Sequence, residues 1–87
     1  MEIEVGRLFM GKCNARRTVG DVTELARSIE EKGILQPLIV RPVGSRYEVV
    51  VGSRRLAAAK VAQLKKIPAV VREMDDGEAI SLSLMEN

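Results

Sequence analysis

The stretch Val49-Val50-Val51-Gly52-Ser53-Arg54-Arg55 carries the strongest chemical signal in the chain. An apolar strand runs into a glycine and then into a helix whose first turn holds two arginines. The first turn of a helix presents amide donors without intrahelical partners and a partial positive charge, so it favours anions. A glycine at the junction lets a bulky anion approach the backbone, and guanidinium forks match phosphate oxygens. The two cations oppose the helix dipole at about 0.3–1 kcal/mol each, a cost that a bound polyanion reverses. Arg54 precedes Ala58 by four residues and Val61 by seven, which leans it toward the packed side of the helix. The competing reading is that Arg54 and Arg55 are solvated or pair with nearby carboxylates. The Gly-Lys-Ser/Thr ending of a Walker loop is absent.

Three further places could carry chemistry. Glu86 and Asn87 are adjacent hard-oxygen ligands of the kind Mg²⁺ accepts while it keeps several waters; a solvated helix end is the alternative. Cys13 lies among Lys12, Arg16 and Arg17, and positive neighbours lower a thiol pKa. No base or orienting group is identifiable for it, so a spectator thiol is the alternative to a reactive one, and the former is favoured. Gln36 precedes Pro37 and is thereby biased to an extended conformation, which serves strand entry as well as a site.

Elements must position these groups. Glu2 to Phe9 alternates well enough to predict a first strand, followed by a polar, basic loop over Gly11 to Gly20. Asp21 can cap a helix carrying Val22, Leu25, Ala26 and Ile29 at helical spacing, and Gly33 can end it in a left-handed conformation. Leu38-Ile39-Val40 and Tyr47 to Val51 read as a hairpin about Gly44-Ser45-Arg46. A helix from Ser53 to about Lys65 follows, with Ala57, Val61 and Leu64 as its apolar stripe. Ile67 to Val71 is a short strand, and Pro68 must stand at its start or at an edge. Asp75 or Asp76 caps a last helix that packs through Ile80 and Leu84. The order β, α, β, β, α, β, α predicts an α+β fold, a small mixed sheet with helices packed on it.

Composition sets the outer limits. The chain has 87 residues, 46% apolar and 30% charged, which fits one ordinary globular domain and argues against disorder. Lys and Arg number 14 against 12 Asp and Glu, for a net charge of +2. Such a small excess is weak evidence for DNA binding by these residues themselves. The absence of histidine excludes a His-based triad and any His-containing metal site. The single cysteine excludes an internal disulfide. No apolar run reaches a membrane span of about 18 residues, and Met1 to Gly6 lacks a signal-peptide pattern. A cytoplasmic protein is the simplest expectation.

Several of these stretches together resemble a known family, the ParB N-terminal domain, whose fold is shared with sulfiredoxin. Leu25-Ala26-Arg27-Ser28-Ile29 looks like the family's first helix, and Gly33-Ile34-Leu35-Gln36-Pro37-Leu38-Ile39-Val40-Arg41-Pro42 is similar to its Gly-x-Leu-Gln-Pro-Leu-x-Val-Arg stretch. Tyr47 to Arg55 resembles the strand leading into its Gly-Glu-Arg-Arg motif, and Ile67 to Arg72 and Glu86-Asn87 match later signatures.

The resemblance implies a cytidine triphosphate (CTP) switch with Mg²⁺ that closes a DNA clamp. Gly52, Ser53, Arg54 and Arg55 would form the triphosphate cradle, Gln36 would line the nucleotide pocket, and Glu86 and Asn87 would serve the metal. It further implies a homodimer in the nucleoid-associated cytoplasm, a partition ATPase as partner, and DNA contact through a region outside this chain. Because the chain stops on the Glu86-Asn87 motif, a truncation before a helix-turn-helix domain is expected. Two departures matter: Ser53 stands where the family usually has Glu, a residue linked to hydrolysis, and Ala57 stands where a third basic residue is common. They leave open a stand-alone interaction module that has lost hydrolysis. A sulfiredoxin-like enzyme would need a cysteine where Ser53 stands. A ParB-like nuclease is disfavoured, since histidine and an acidic metal cluster are both missing.

Overall fold

The N-terminal segment, predicted as a single strand, divides between the two edges of the sheet. In the computed structural model, which describes residues 1–11 and 21–85, β1 (Glu2–Glu4) and β2 (Leu8–Phe9) are separated by a 3-10 turn over Val5–Arg7. The remaining elements are α1 (Thr23–Lys32), β3 (Leu38–Val43), β4 (Arg46–Val51), α2 (Ser53–Val61), β5 (Lys66–Val71) and α3 (Asp76–Met85). Strand order is β1-β5-β3-β4-β2. The reason for the split is a parity mismatch. Ile3 and Leu8 are five residues apart, so a straight strand would send them to opposite faces. The 3-10 turn absorbs the odd residue, and both side chains enter one core cluster. The edges that result are only three and two residues long, which limits unwanted pairing.

The mixed sheet is built on the predicted hairpin. β3 and β4 are antiparallel, with Arg41 opposite Glu48 and Val43 opposite Arg46. β5 joins β3 in parallel and β1 antiparallel, while β2 runs parallel to β4. Pro68 lies inside β5, although the sequence placed it at a strand start or edge. It is tolerated because pairing with β3 begins one residue later, at Leu38 opposite Ala69, so the missing N–H removes no ladder bond on that side.

Alternation decides the two faces. Leu38, Val40, Val49, Ile67 and Ala69 point to one face and pack with Leu56 and Ala59 of α2. α1 lays Val22, Ala26 and Ile29 against Ala58 of α2. Thr23 donates to Asp21 Oδ1 through its amide (2.9 Å) and its hydroxyl (2.6 Å), so Asp21 steadies the helix start from two residues ahead. At the other end Gly33 has φ 75° and returns its N–H to Ile29 O.

Two packing stripes differ from expectation. α2 ends at Val61 rather than near Lys65, because Gln63 takes φ 61° and Leu64 donates its amide to Ala59 O. This is a Schellman-type stop without glycine. Val61, expected to pack, is 60% exposed, and Ser53, Leu56, Ala58 and Ala59 are buried instead. In α3 the predicted face, Ile80 and Leu84, is 44% and 57% exposed, while Ala79 and Ser83 are buried. Small side chains let this helix approach Val50 on the second face of the sheet. Asp75 does cap α3, accepting from the Glu78 amide at 2.8 Å.

Candidate functional site

One side of α1, the turn before β3 and Arg55 at the start of α2 line one hollow, and the end of β4 leads into that helix start. Gly52 makes the strand-to-helix turn at φ 108°, a left-handed conformation that suits glycine. A Cβ there would overlap Leu38 Cδ2 and stand 3.4 Å from Arg55 Nη1. Glycine is therefore required twice, by its backbone angle and by the closeness of β3.

Ser53 opens α2 fully buried, and its Oγ has no hydrogen-bond partner. Arg54 is half-buried. Its Nη2 donates to the Asp21 carbonyl at 3.2 Å, and its Nε is buried without a partner. Arg55, also half-buried, donates from Nη2 to Gln36 Oε1 at 3.0 Å. Among the described residues neither guanidinium has a carboxylate partner; the ion pairs belong to Arg41. The competing sequence reading has both arginines solvated or paired with nearby carboxylates; among the described residues such pairing is not seen, and both residues are half-buried.

A cleft of about 170 Å³ lies beside Arg55 and Gln36, with Leu25, Ile29, Ile34 and Leu35 as its apolar lining. A second hollow is formed by Arg54, Arg55, Glu24 and Leu25. Two arginines and a helix start beside an apolar slot can take a ligand with an anionic end and a flat, weakly polar end. The orphaned Ser53 Oγ and Arg54 Nε fit such a ligand, since buried polar atoms ordinarily find partners. Asp21 has its carboxyl held below the ordinary value of 3.8, first by the Thr23 hydroxyl and amide, with Arg54 adding a smaller pull against slight desolvation.

Five predicted site residues, Gln36, Gly52, Ser53, Arg54 and Arg55, are thus brought together. Glu86, Asn87 and Cys13 lie outside the described residues. The sequence reading missed Asp21 and Glu24 as neighbours of Arg54, because nothing local links α1 to the start of α2. It also missed Glu48. Arg41 and Glu48 face each other across the hairpin, and that pairing could have been counted back from the Gly44-Ser45 turn.

The sequence profile of the ParB N-terminal domain matches residues 1–87, and the chain belongs to that family. It is 56% identical over 64 residues to the probable chromosome-partitioning protein ParB of Coxiella burnetii, a match covering 74% of this chain and 22% of that protein. The chain spans no more than 30% of the length of the curated relatives it matches. Its fold superposes on C-terminally truncated ParB of Caulobacter crescentus complexed with CTP-gamma-S, with a TM-score of 0.91, 37% identity, and coverage of 99% of this chain and 51% of that one. The same Caulobacter protein complexed to the centromeric parS site gives 0.79 at 32% identity, covering 99% and 46%. Sulfiredoxin from Arabidopsis thaliana shares the fold alone, with a TM-score of 0.72 at 22% identity over 94% and 93%. The expected ParB/sulfiredoxin-like α+β architecture is therefore present. Among the described residues no helix is long and apolar enough to cross a membrane.

Proposed function

We propose that this chain is the CTP-binding switch domain of a chromosome- or plasmid-partition protein. The observation that carries the proposal is the unpartnered polar set at the start of α2. Ser53 Oγ and Arg54 Nε are buried without partners, and among the described residues no carboxylate pairs with the two guanidinium groups beside an apolar cleft. In this reading Gly52, Ser53, Arg54 and Arg55 hold the triphosphate, and Gln36 with the Leu25, Ile29 and Ile34 surface receives the base. Glu86 and Asn87, which follow the last turn of α3 in sequence, serve Mg²⁺. When bound, the metal would neutralise phosphate charge. The CTP-gamma-S complex of the Caulobacter relative supports the choice of nucleotide, and its parS complex supports a DNA role for the longer protein. DNA contact through a region outside this chain, a homodimer and a partition ATPase partner belong to the same proposal.

Titration of CTP with Mg²⁺ by calorimetry tests it. Saturable binding is expected, and absence of heat with every nucleoside triphosphate overturns it. A second reading, binding with hydrolysis lost, is favoured by Ser53. A buried hydroxyl at that position brings no carboxylate to the reacting end of the ligand. Phosphate release in step with CTP binding would overturn that second reading.

A further inference from the structure

Away from the candidate site, a buried arginine holds three segments together. Arg41 is 9% exposed and Glu48 only 4%. Arg41 Nε donates to Glu48 Oε1 at 2.9 Å, Nη1 to the Met74 carbonyl at 3.1 Å, and Nη2 to Asp76 Oδ1 at 2.7 Å. Every nitrogen of the fork is thereby engaged, with one arm in β4, one in the β5–α3 connection and one on the first residue of α3. The Glu48 carboxylate is also packed against Gly11, where a Cβ would overlap it.

Apolar packing alone fixes α3 poorly. Its buried residues are Ala79 and Ser83, neither of them large, and the cluster beneath it is Val50 and Ala79 with Val51, Met74 and Leu82 partly buried around them. Ile80, Leu84 and Met85 are exposed. To that packing the planar Arg41 fork adds bonds at defined angles. A buried ion pair adds little net stability once desolvation is counted, so its geometry is the more informative property.

We infer that Arg41 is a positioning residue. Its guanidinium sets where α3 begins and how it lies on the sheet. What the placement of α3 means for a nucleotide rests on the function proposed above; the hold on α3 does not.

Amide hydrogen exchange of the 87-residue chain without nucleotide tests the inference. Asp76 is largely exposed, so Asp76→Ala cuts the α3 arm without opening the core. Protection of the Ala79, Leu82 and Ser83 amides is expected to fall about tenfold, with β4 and β5 unchanged, as for a sub-global opening. Asp76→Asn keeps an acceptor oxygen and recovers part of the protection. Glu78→Ala removes another acidic residue from the first turn of α3 and controls for the helix dipole; its effect should stay below about threefold. Unchanged α3 protection in Asp76→Ala overturns the inference. So does an equal loss in Glu78→Ala, or a loss shared uniformly with β4 and β5. A wild-type chain that takes up no CTP removes the nucleotide reading and leaves the exchange result standing.

Discussion

Arg41 and the pair Arg54–Arg55 are the same residue type in two opposite settings. Arg41 is closed: one carboxylate lies beneath it, another at its tip, and a carbonyl completes the set. Arg54 and Arg55 are held by neutral oxygens, a backbone carbonyl and a side-chain amide, and among the described residues no carboxylate forms an ion pair with either. The Arg41 guanidinium is compensated within the fold. Arg54 and Arg55 are oriented by neutral acceptors, which fix direction without forming an ion pair. The contrast makes Arg41 a strut and Arg54 and Arg55 candidate ligand groups, and each side of it can be broken.

The largest effect is expected at the closed site. Glu48→Ala takes away the buried carboxylate beneath Arg41, leaving the surface carboxylate of Asp76 and the Met74 carbonyl, and should cost about 3–5 kcal/mol, as when one partner of a buried pair is removed. Urea unfolding measures it. Replacing Arg41 and Glu48 together with apolar residues should cost much less, and a double replacement as damaging as the single one would break the contrast. Gly52→Ala comes next. It forces a non-glycine side chain to φ 108° and into Leu38, for about 2–4 kcal/mol of combined backbone strain and overpacking. A loss under 1 kcal/mol, roughly the scale of a surface substitution, would mean that β3 can retreat and that the turn is not rigid.

At the open site stability and binding should separate. Arg55→Ala is expected to change unfolding free energy by no more than about 0.5 kcal/mol. Binding of CTP should weaken more than tenfold, since a charged hydrogen-bond partner is worth about 1.5–3 kcal/mol. An unchanged affinity would remove Arg55 from the site. A large stability loss would make it a second strut and erase its difference from Arg41.

How much of this was legible beforehand depends on the range of the interaction concerned. The hairpin, the starts of α2 and α3 and the Gly52-to-Arg55 turn rest on neighbours in sequence, and they stand where the residues placed them, while α1 begins at Thr23, two residues after Asp21. Distant partners decided the rest. The segment Glu2 to Phe9 alternates acceptably as one strand, and it divides because β5 and β4 claim its two halves at opposite edges. In α3 helical spacing revealed a stripe of Ile80 and Leu84, yet the side that packs is the one small enough to sit close on Val50. Counting large apolar residues overlooks Ala79 and Ser83. Gln63 ends α2 in a conformation that glycine usually supplies, so no residue type announced the stop. For the site, Arg54 and Arg55 were readable as an anion-binding pair. That Gln36 would meet Arg55 across 19 residues required β3 and α2 to be packed side by side.

The smallest expected effect sharpens the comparison from the side of α1. Arg54 is aimed by the Asp21 backbone carbonyl, and the Asp21 carboxylate in turn fixes the start of α1 by accepting from Thr23. Those donors hold the Asp21 carboxyl below its ordinary value of 3.8. A carboxyl whose folded pKa is depressed adds stability that is complete above the unfolded value and is lost as pH falls through the folded one. From neutral pH down to about pH 5 nothing should change at Asp21. Below 3.8 the start of α1 should loosen, and Arg54 with it. An NMR titration of the Asp21 carboxyl carbon should therefore give a midpoint under 3.8, with the Thr23 amide shift following the same curve. Asp21→Asn keeps an acceptor for that amide without the charge, and should flatten the acid response. A midpoint at or above 3.8 would show that the Thr23 bonds do not persist in solution. Arg54 would then lack a fixed anchor, and only Arg55, held by Gln36, would still be aimed in advance of a ligand.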